Sequence, residues 1–241
     1  MESVDPAAVL FLLALAAGLV DSMAGGGGLI TVPALLWSGL DPVSALATNK
    51  AQAVFGSFTA TANFVHKGAV DVRRASLSVV CTFIGAASGA LMVQYLGGEL
   101  LSRLIPLLLM AFALYFLLSP RVSDMDSHHR IREPAFALVV GTGVGFYDGF
   151  FGPGTGTFFA MAFVALLGYN LRRATAHTKL LNFTSNLAAL LLFLAGGHVV
   201  WRISAGPGAG LHGRLPQAPA AGAGSLANGH GVSATPKNVS R

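Results

Sequence analysis

The sequence predicts an all-α polytopic membrane protein built as a tandem repeat of four-span units with broken first helices, the second repeat being incomplete. Three observations carry this. Hydrophobic residues make up 54% of the 241 positions and charged residues only 10%, against about 25% charged in soluble domains, and mean hydropathy is +0.66. The apolar residues fall into six stretches, at 7–37, 44–65, 75–96, 103–118, 135–167 and 174–196, each near or above the ~20 residues that one bilayer crossing needs. The chain also matches itself at a shift of 127 to 129 positions.

The first stretch begins MESVDPAAVLFLLALAAGLVDSMAGG, with Glu2 and Asp5 and no Lys or Arg before Lys50. A secretory leader needs a basic start, so this segment reads as retained. The first and fifth stretches are too long for one straight helix, and glycine interrupts both: Gly25–Gly26–Gly27–Gly28 in one, Gly152–Pro153–Gly154–Thr155–Gly156 in the other. Cys81, the single cysteine, lies in the third stretch and reads as a small lipid- or core-facing residue, since one thiol builds neither a disulfide framework nor a cysteine metal site.

Loop charges set the orientation. Lys67, Arg73 and Arg74 lie between spans two and three, and Arg121, Arg130 and Arg132 between spans four and five, which places both loops in the cytoplasm. The loops at 38–43 and 97–102 carry Asp41 and Glu99 and no Lys or Arg, in agreement; Arg172 and Arg173 fall on the expected outer side and disagree. The formal charge of +5 is therefore spread among short loops that orient the chain, and does not point to nucleic acid. His128 and His129 sit in the charged connector DMDSHHRIRE and read as solvated.

The repeat is specific. A shift of 127 pairs Gly18 with Gly145, Asp21 with Asp148, Gly25 with Gly152 and Gly27 with Gly154; a shift of 129 pairs Lys50 with Lys179, Phe64 with Phe193 and Gly68 with Gly197. Four spans per unit, an even number, would bring both halves in from the same face, related by an axis along the membrane normal. The first unit occupies 1–118, a charged cytoplasmic loop 119–134, and the second unit 135–202 with two recognisable spans. Residues 203–241 hold eight Gly, four Pro, six Ile, Leu or Val and no Phe, too little apolar surface for a span. The expectation is that a frameshift produced this tail; a natural flexible cytoplasmic tail is the alternative.

Most charges lie outside the spans, but Asp21, Lys50, Asp148 and Lys179 lie within them. A charge at bilayer depth costs at least ~2.5–3.5 kcal/mol and must face a partner, a cavity or a substrate. Either Lys50 and Lys179 converge on a cavity and attract an anion, or each is neutralised by the aspartate of its own repeat. The anion reading is preferred, because the adjoining glycine segments, with Gly26, Gly27, Gly154 and Thr155, can turn backbone N–H groups and a half-helix dipole toward an oxyanion. Asn49 and Thr178, next to the lysines, are the leading neutral donors, followed by Gln52, Asn182, Thr184, Ser185 and Asn186. Asp21, Asp148 and His177 serve ion coupling or structure, a choice the sequence leaves open. No nucleotide loop of the form GxxxxGK[ST] occurs, nor any catalytic or metal-ligand pattern, so neither an enzyme nor a cofactor is expected.

These motifs, G-x-x-D-x-x-x-GGGG at Gly18–Gly28, T-N-K at Thr48–Lys50, G-x-x-D-x-x-x-GPGTG at Gly145–Gly156, H-T-K at His177–Lys179 and N-F-x-S-N at Asn182–Asn186, resemble those of the sulfite exporter TauE/SafE family over residues 7 to about 201. The resemblance implies an eight-span transporter of small, often sulfur-containing anions in a bacterial inner membrane. The expected function is secondary transport, with export of sulfite or a sulfonate favoured; a non-transporting scaffold or partner-binding subunit is the alternative. The expected partners are a small anion and the bilayer, and oligomeric state is open, a homo-oligomer included.

Overall fold

The computed structural model describes residues 12–13, 15–18, 20–21, 26–96, 98–118 and 130–201. The whole 119–129 connector with Arg121, His128 and His129, the start of the chain, Gly25 and the whole 203–241 tail lie outside these residues. The described part of 12–21 is helical. Then follow α1 (Gly28–Trp37), α2 (Pro42–His66), α3 (Ser76–Tyr95), α4 (Gly98–Leu118), α5 (Glu133–Phe136), a π-helical turn (Ala137–Gly141) running straight into α6 (Thr142–Phe150), α7 (Thr155–Leu167) and α8 (Leu171–Ala195).

Local chemistry explains where these helices begin and end. Asp41 caps α2 by accepting from Ser44 N at 3.1 Å, with Pro42 in the first turn; 129 positions on, Asn170 caps α8 by accepting from Arg173 N at 2.9 Å. Both helices run 25 residues. Gly39 and Gly168 end α1 and α7 with φ of 89° and 66°, and Gly68 and Gly197 follow α2 and α8 with φ of 65° and 73°, a left-handed conformation that glycine adopts without steric cost. Corresponding sequence positions thus share local conformations.

The direction of travel differs from expectation. Between α2 and α8, Thr61 Oγ1 donates to the Lys179 carbonyl at 2.8 Å and Phe58 packs on Phe183, and just beyond α8 Val200 N donates to Thr48 Oγ1 at 3.4 Å. Later positions in one helix meet earlier positions in the other, so the two run antiparallel, not in the common direction expected of halves that enter from the same face.

The reason lies in the glycine breaks. After α6 the chain turns at 151–154, and α7 returns to the end from which α5 entered: the N–H groups of Arg130 and Ile131 donate to the Leu166 carbonyl at 2.9 and 3.3 Å, and Tyr169 Oη lies 3.3 Å from Glu133 Oε1. The fifth apolar stretch is a hairpin that goes in and comes back, rather than one broken crossing. At 13 residues, α7 is about 20 Å long, short of a ~30 Å hydrocarbon core. The turn also moves Arg172 and Arg173 to the end that carries Arg130, which removes the conflict in loop charge.

Among the described residues, Ser76–Tyr95 and Leu171–Ala195 are the helices long and apolar enough to cross a bilayer, with mean hydropathies of 1.9 and 1.4 over their best 18 residues. Helix α3 packs closely on α6 through glycine. A methyl group on Gly149 would stand 2.8 Å from Ala86 Cα, and one on Gly89 2.8 Å from the Phe150 nitrogen, the backbone-to-backbone approach that small residues permit in lipid. Cys81 is buried in this contact, near Gly141. One apolar cluster, with Val43, Leu46, Val93, Leu101, Ile105, Ala189 and Phe193, closes the end where α2 and α4 begin and α3 and α8 finish. A second, with Phe136, Phe159, Phe163 and Tyr169, lies at the end where α5 and α8 begin.

Candidate functional site

The two glycine breaks meet in the interior. A Cβ on Gly28 would lie 3.2 Å from Pro153 Cα and 3.5 Å from Asn49 Nδ2, and one on Gly152 would lie 2.5 Å from Lys50 Nζ. Glycine is required at 152 on both counts, since its φ is 98°. This meeting brings the four intramembrane charges together, but crosswise between the repeats rather than within each.

Lys50 Nζ lies 2.7 Å from Asp148 Oδ1, with the two side chains 1% and 2% exposed. Thr155 Oγ1 lies 2.8 Å from the same oxygen, and Ser185 Oγ donates to Asp148 Oδ2. The carboxylate is thereby satisfied by an ammonium and two hydroxyls from three helices, the condition under which a buried ion pair is tolerated. Nearby, the Tyr147 hydroxyl donates to the Pro153 carbonyl and anchors the turn.

The repeat-related pair is arranged differently. Lys179 Nζ donates to the backbone carbonyl of Asp21 at 2.7 Å, while the Asp21 carboxylate accepts from Gly27 N at 3.3 Å. Lys179 and Asp21 line a cavity of about 530 Å³ together with Gly27, Thr31, Asn49 and Gln52, and the cavity reaches Ala60, Asn63, Phe64 and Thr175 near the ends of α2 and α8. Lys50 is not among its lining residues. Of the two lysines, the structure gives one to a dry ion pair and one to a cavity.

The other expected residues divide accordingly. Asn49 and Gly27 line the cavity and Gly26 is buried beside them. Gly154, with φ of 84°, forms the cap of α7, and Thr155 serves Asp148; neither lines the cavity. Thr178 is 4% exposed and its Oγ1 has no hydrogen-bond partner among the described residues. Asn182 and Asn186 bond each other, Asn186 Nδ2 reaching the Asn182 carbonyl at 2.6 Å.

His177 stands apart. Its Nδ1 donates to the Arg173 carbonyl at 2.9 Å, and its ring packs on Phe163 and Tyr169. It lines a separate hollow of about 480 Å³ with Asp71, Arg74, Glu133 and Arg173. There the Arg173 guanidinium lies 3.8 Å from the Tyr169 ring centroid. Burial pushes the Tyr169 phenol above its ordinary range, opposed by Arg173 and reinforced by Glu133, so the hydroxyl stays protonated and donates to Glu133.

Sequence reading missed Asn63, Phe64 and Thr175 as cavity residues. Phe64 carried a signal, its identity with Phe193 at the repeat shift; Asn63 and Thr175 face Leu192 and Leu46 at that shift and carried none.

Residues 10–226 match the family model described as Sulfite exporter TauE/SafE. The chain is 51% identical over 193 residues to the "Probable membrane transporter protein YfcA" of Escherichia coli K12, covering 80% of this chain and 72% of that one. It is 45% identical over 200 residues to a "Probable membrane transporter protein" of Haemophilus influenzae, covering 83% and 78%. A "Probable membrane transporter protein YunE" of Bacillus subtilis is 24% identical over 234 residues, 86% of each chain. No solved structure matches.

Proposed function

Because the chain belongs to the sulfite exporter TauE/SafE family of membrane transporters, we propose that it is a secondary transporter exporting a small oxyanion, sulfite or an organosulfonate, across the bacterial inner membrane. The observation that carries this reading is the Lys179 ammonium on a 530 Å³ cavity furnished with Asn49 and Gln52, a size within the ~300–1,000 Å³ of ligand pockets. The Asp21 carboxylate, the anionic group on the same cavity, is turned to the Gly27 N–H. That leaves the ammonium with a neutral carbonyl partner and charge to offer an anion.

The antiparallel α2 and α8, with matching caps and lengths, support a further reading: two inverted halves with the binding site at the meeting of their broken helices, as in many secondary transporters. Lys67, Arg73, Arg74, Arg130, Arg132, Arg172 and Arg173 then mark a cytoplasmic face. At the other face Arg103 is paired with Glu99 at 2.7 Å.

Flux into proteoliposomes of a panel of anions (sulfite, sulfate, thiosulfate, sulfoacetate, acetate) tests the proposal. Wild type is expected to carry at least one oxyanion, and Lys179→Gln to carry it roughly 10- to 100-fold more slowly, the worth of one charge-assisted hydrogen bond. Equal flux by Lys179→Gln would remove the lysine from the mechanism.

A further inference from the structure

The two halves of the site are alike in sequence and unlike in state. At the repeat shift of 129, the cavity residues Ala60, Phe64 and Thr175 correspond to Ala189, Phe193 and Leu46. These three are 0%, 0% and 1% exposed and belong to the apolar cluster that closes the opposite end. Three of the four cavity positions near the loop-rich end therefore have counterparts in a packed plug at the other, and Leu192, the counterpart of Asn63, packs half-buried against that plug.

Deeper in, the same relation holds. Cavity-lining Asn49 corresponds to Thr178, whose hydroxyl is buried without a hydrogen-bond partner among the described residues. A buried unpaired hydroxyl is destabilising, and one that matches a cavity donor is explained if it meets its partner in another conformation. Lys179, bound to a backbone carbonyl, corresponds to Lys50, held by the Asp148 carboxylate.

We propose that the closed half holds a latent second oxyanion site, built around Lys50 and Thr178, which opens to the face opposite the first cavity when Phe193, Ala189 and Leu46 separate. The proposal rests on the transport reading above and deepens it. Opening exchanges the roles of the pairs: Lys50 leaves Asp148 and takes the anion, while Lys179 moves from the Asp21 carbonyl to its carboxylate. One ion pair is closed in each state, and the aspartate that gives up its lysine keeps neutral donors, Gly27 N–H for Asp21 and the Thr155 and Ser185 hydroxyls for Asp148.

Thiol accessibility tests this in the full chain with Cys81→Ala as background, in vesicles of known orientation and with a membrane-impermeant maleimide added to either face. Gln52→Cys reports the open cavity and is expected to label from the face bearing loop 67–75, more slowly in the presence of sulfoacetate. Thr178→Cys and Ala189→Cys report the latent site and are expected to label from the opposite face, roughly 10- to 1,000-fold more slowly, because a minor conformer is populated at ~0.1–10%. Labelling of either from that face supports the latent site. If both stay unlabelled there while sulfoacetate protects Gln52→Cys, the latent site is overturned and the first site stands. If sulfoacetate leaves Gln52→Cys labelling unchanged, the anion cavity fails and the latent site with it.

Discussion

Lys50 and Lys179 show how far identical residues can diverge within one repeat. Each is the ninth residue of a 25-residue helix with the same kind of cap, yet one is sealed against Asp148 and the other lines a cavity. Removing Lys50 strands the Asp148 carboxylate in the interior, so Lys50→Met is expected to destabilise the protein by about 3–5 kcal/mol, and Lys50→Met with Asp148→Leu to recover most of that. Thermal unfolding in detergent measures both; a harmless single variant would refute the structural role. The sequence made the four charges legible, because no charge sits in an apolar span without cause. It hid their partners, since spacing along the chain is silent on whether a lysine reaches the aspartate of its own repeat or of the other.

The glycine segments act on whole elements. Their interruption of the first and fifth apolar stretches was legible, but their consequence was not: helix breaks allow either a continued crossing or a reversal, and contacts of the Leu166 carbonyl with Arg130 and Ile131 decide for reversal. Gly39 and Gly152 separate backbone strain from crowding. Their φ values are 89° and 98°, but a Cβ on Gly39 meets nothing within 4 Å, whereas one on Gly152 meets Lys50 Nζ at 2.5 Å. Gly39→Ala is expected to cost only the strain, about 1–2 kcal/mol, and Gly152→Ala more, because it also displaces the ion pair. Equal losses in chemical denaturation would place the turn at 152 outside the charge network.

Across the whole molecule, the reversal at 151–154 gathers the loops at 67–75, 130–132 and 168–170 at one end. Single cysteines at Lys67, Arg130 and Arg172, in a Cys81→Ala background, are expected to label together from the cytoplasmic face; a cysteine at Arg172 that labels from the other face would contradict the hairpin. Composition and the length of the apolar stretches made the all-helical membrane class readable, and the loop charges conflicted only at Arg172 and Arg173, where a hairpin was counted as a crossing. The cavity itself was not readable, because its walls come from α1, α2, α8 and residues between 17 and 27, and its shape is a property of their packing. The most direct measurement is thermal unfolding of the purified protein with and without saturating sulfite, for wild type and Lys179→Gln. A ligand at ~100 times its Kd stabilises by about 2.7 kcal/mol, so wild type is expected to show a clear rise in Tm and Lys179→Gln almost none. An undiminished rise in the variant would mean that the anion binds elsewhere than at Lys179.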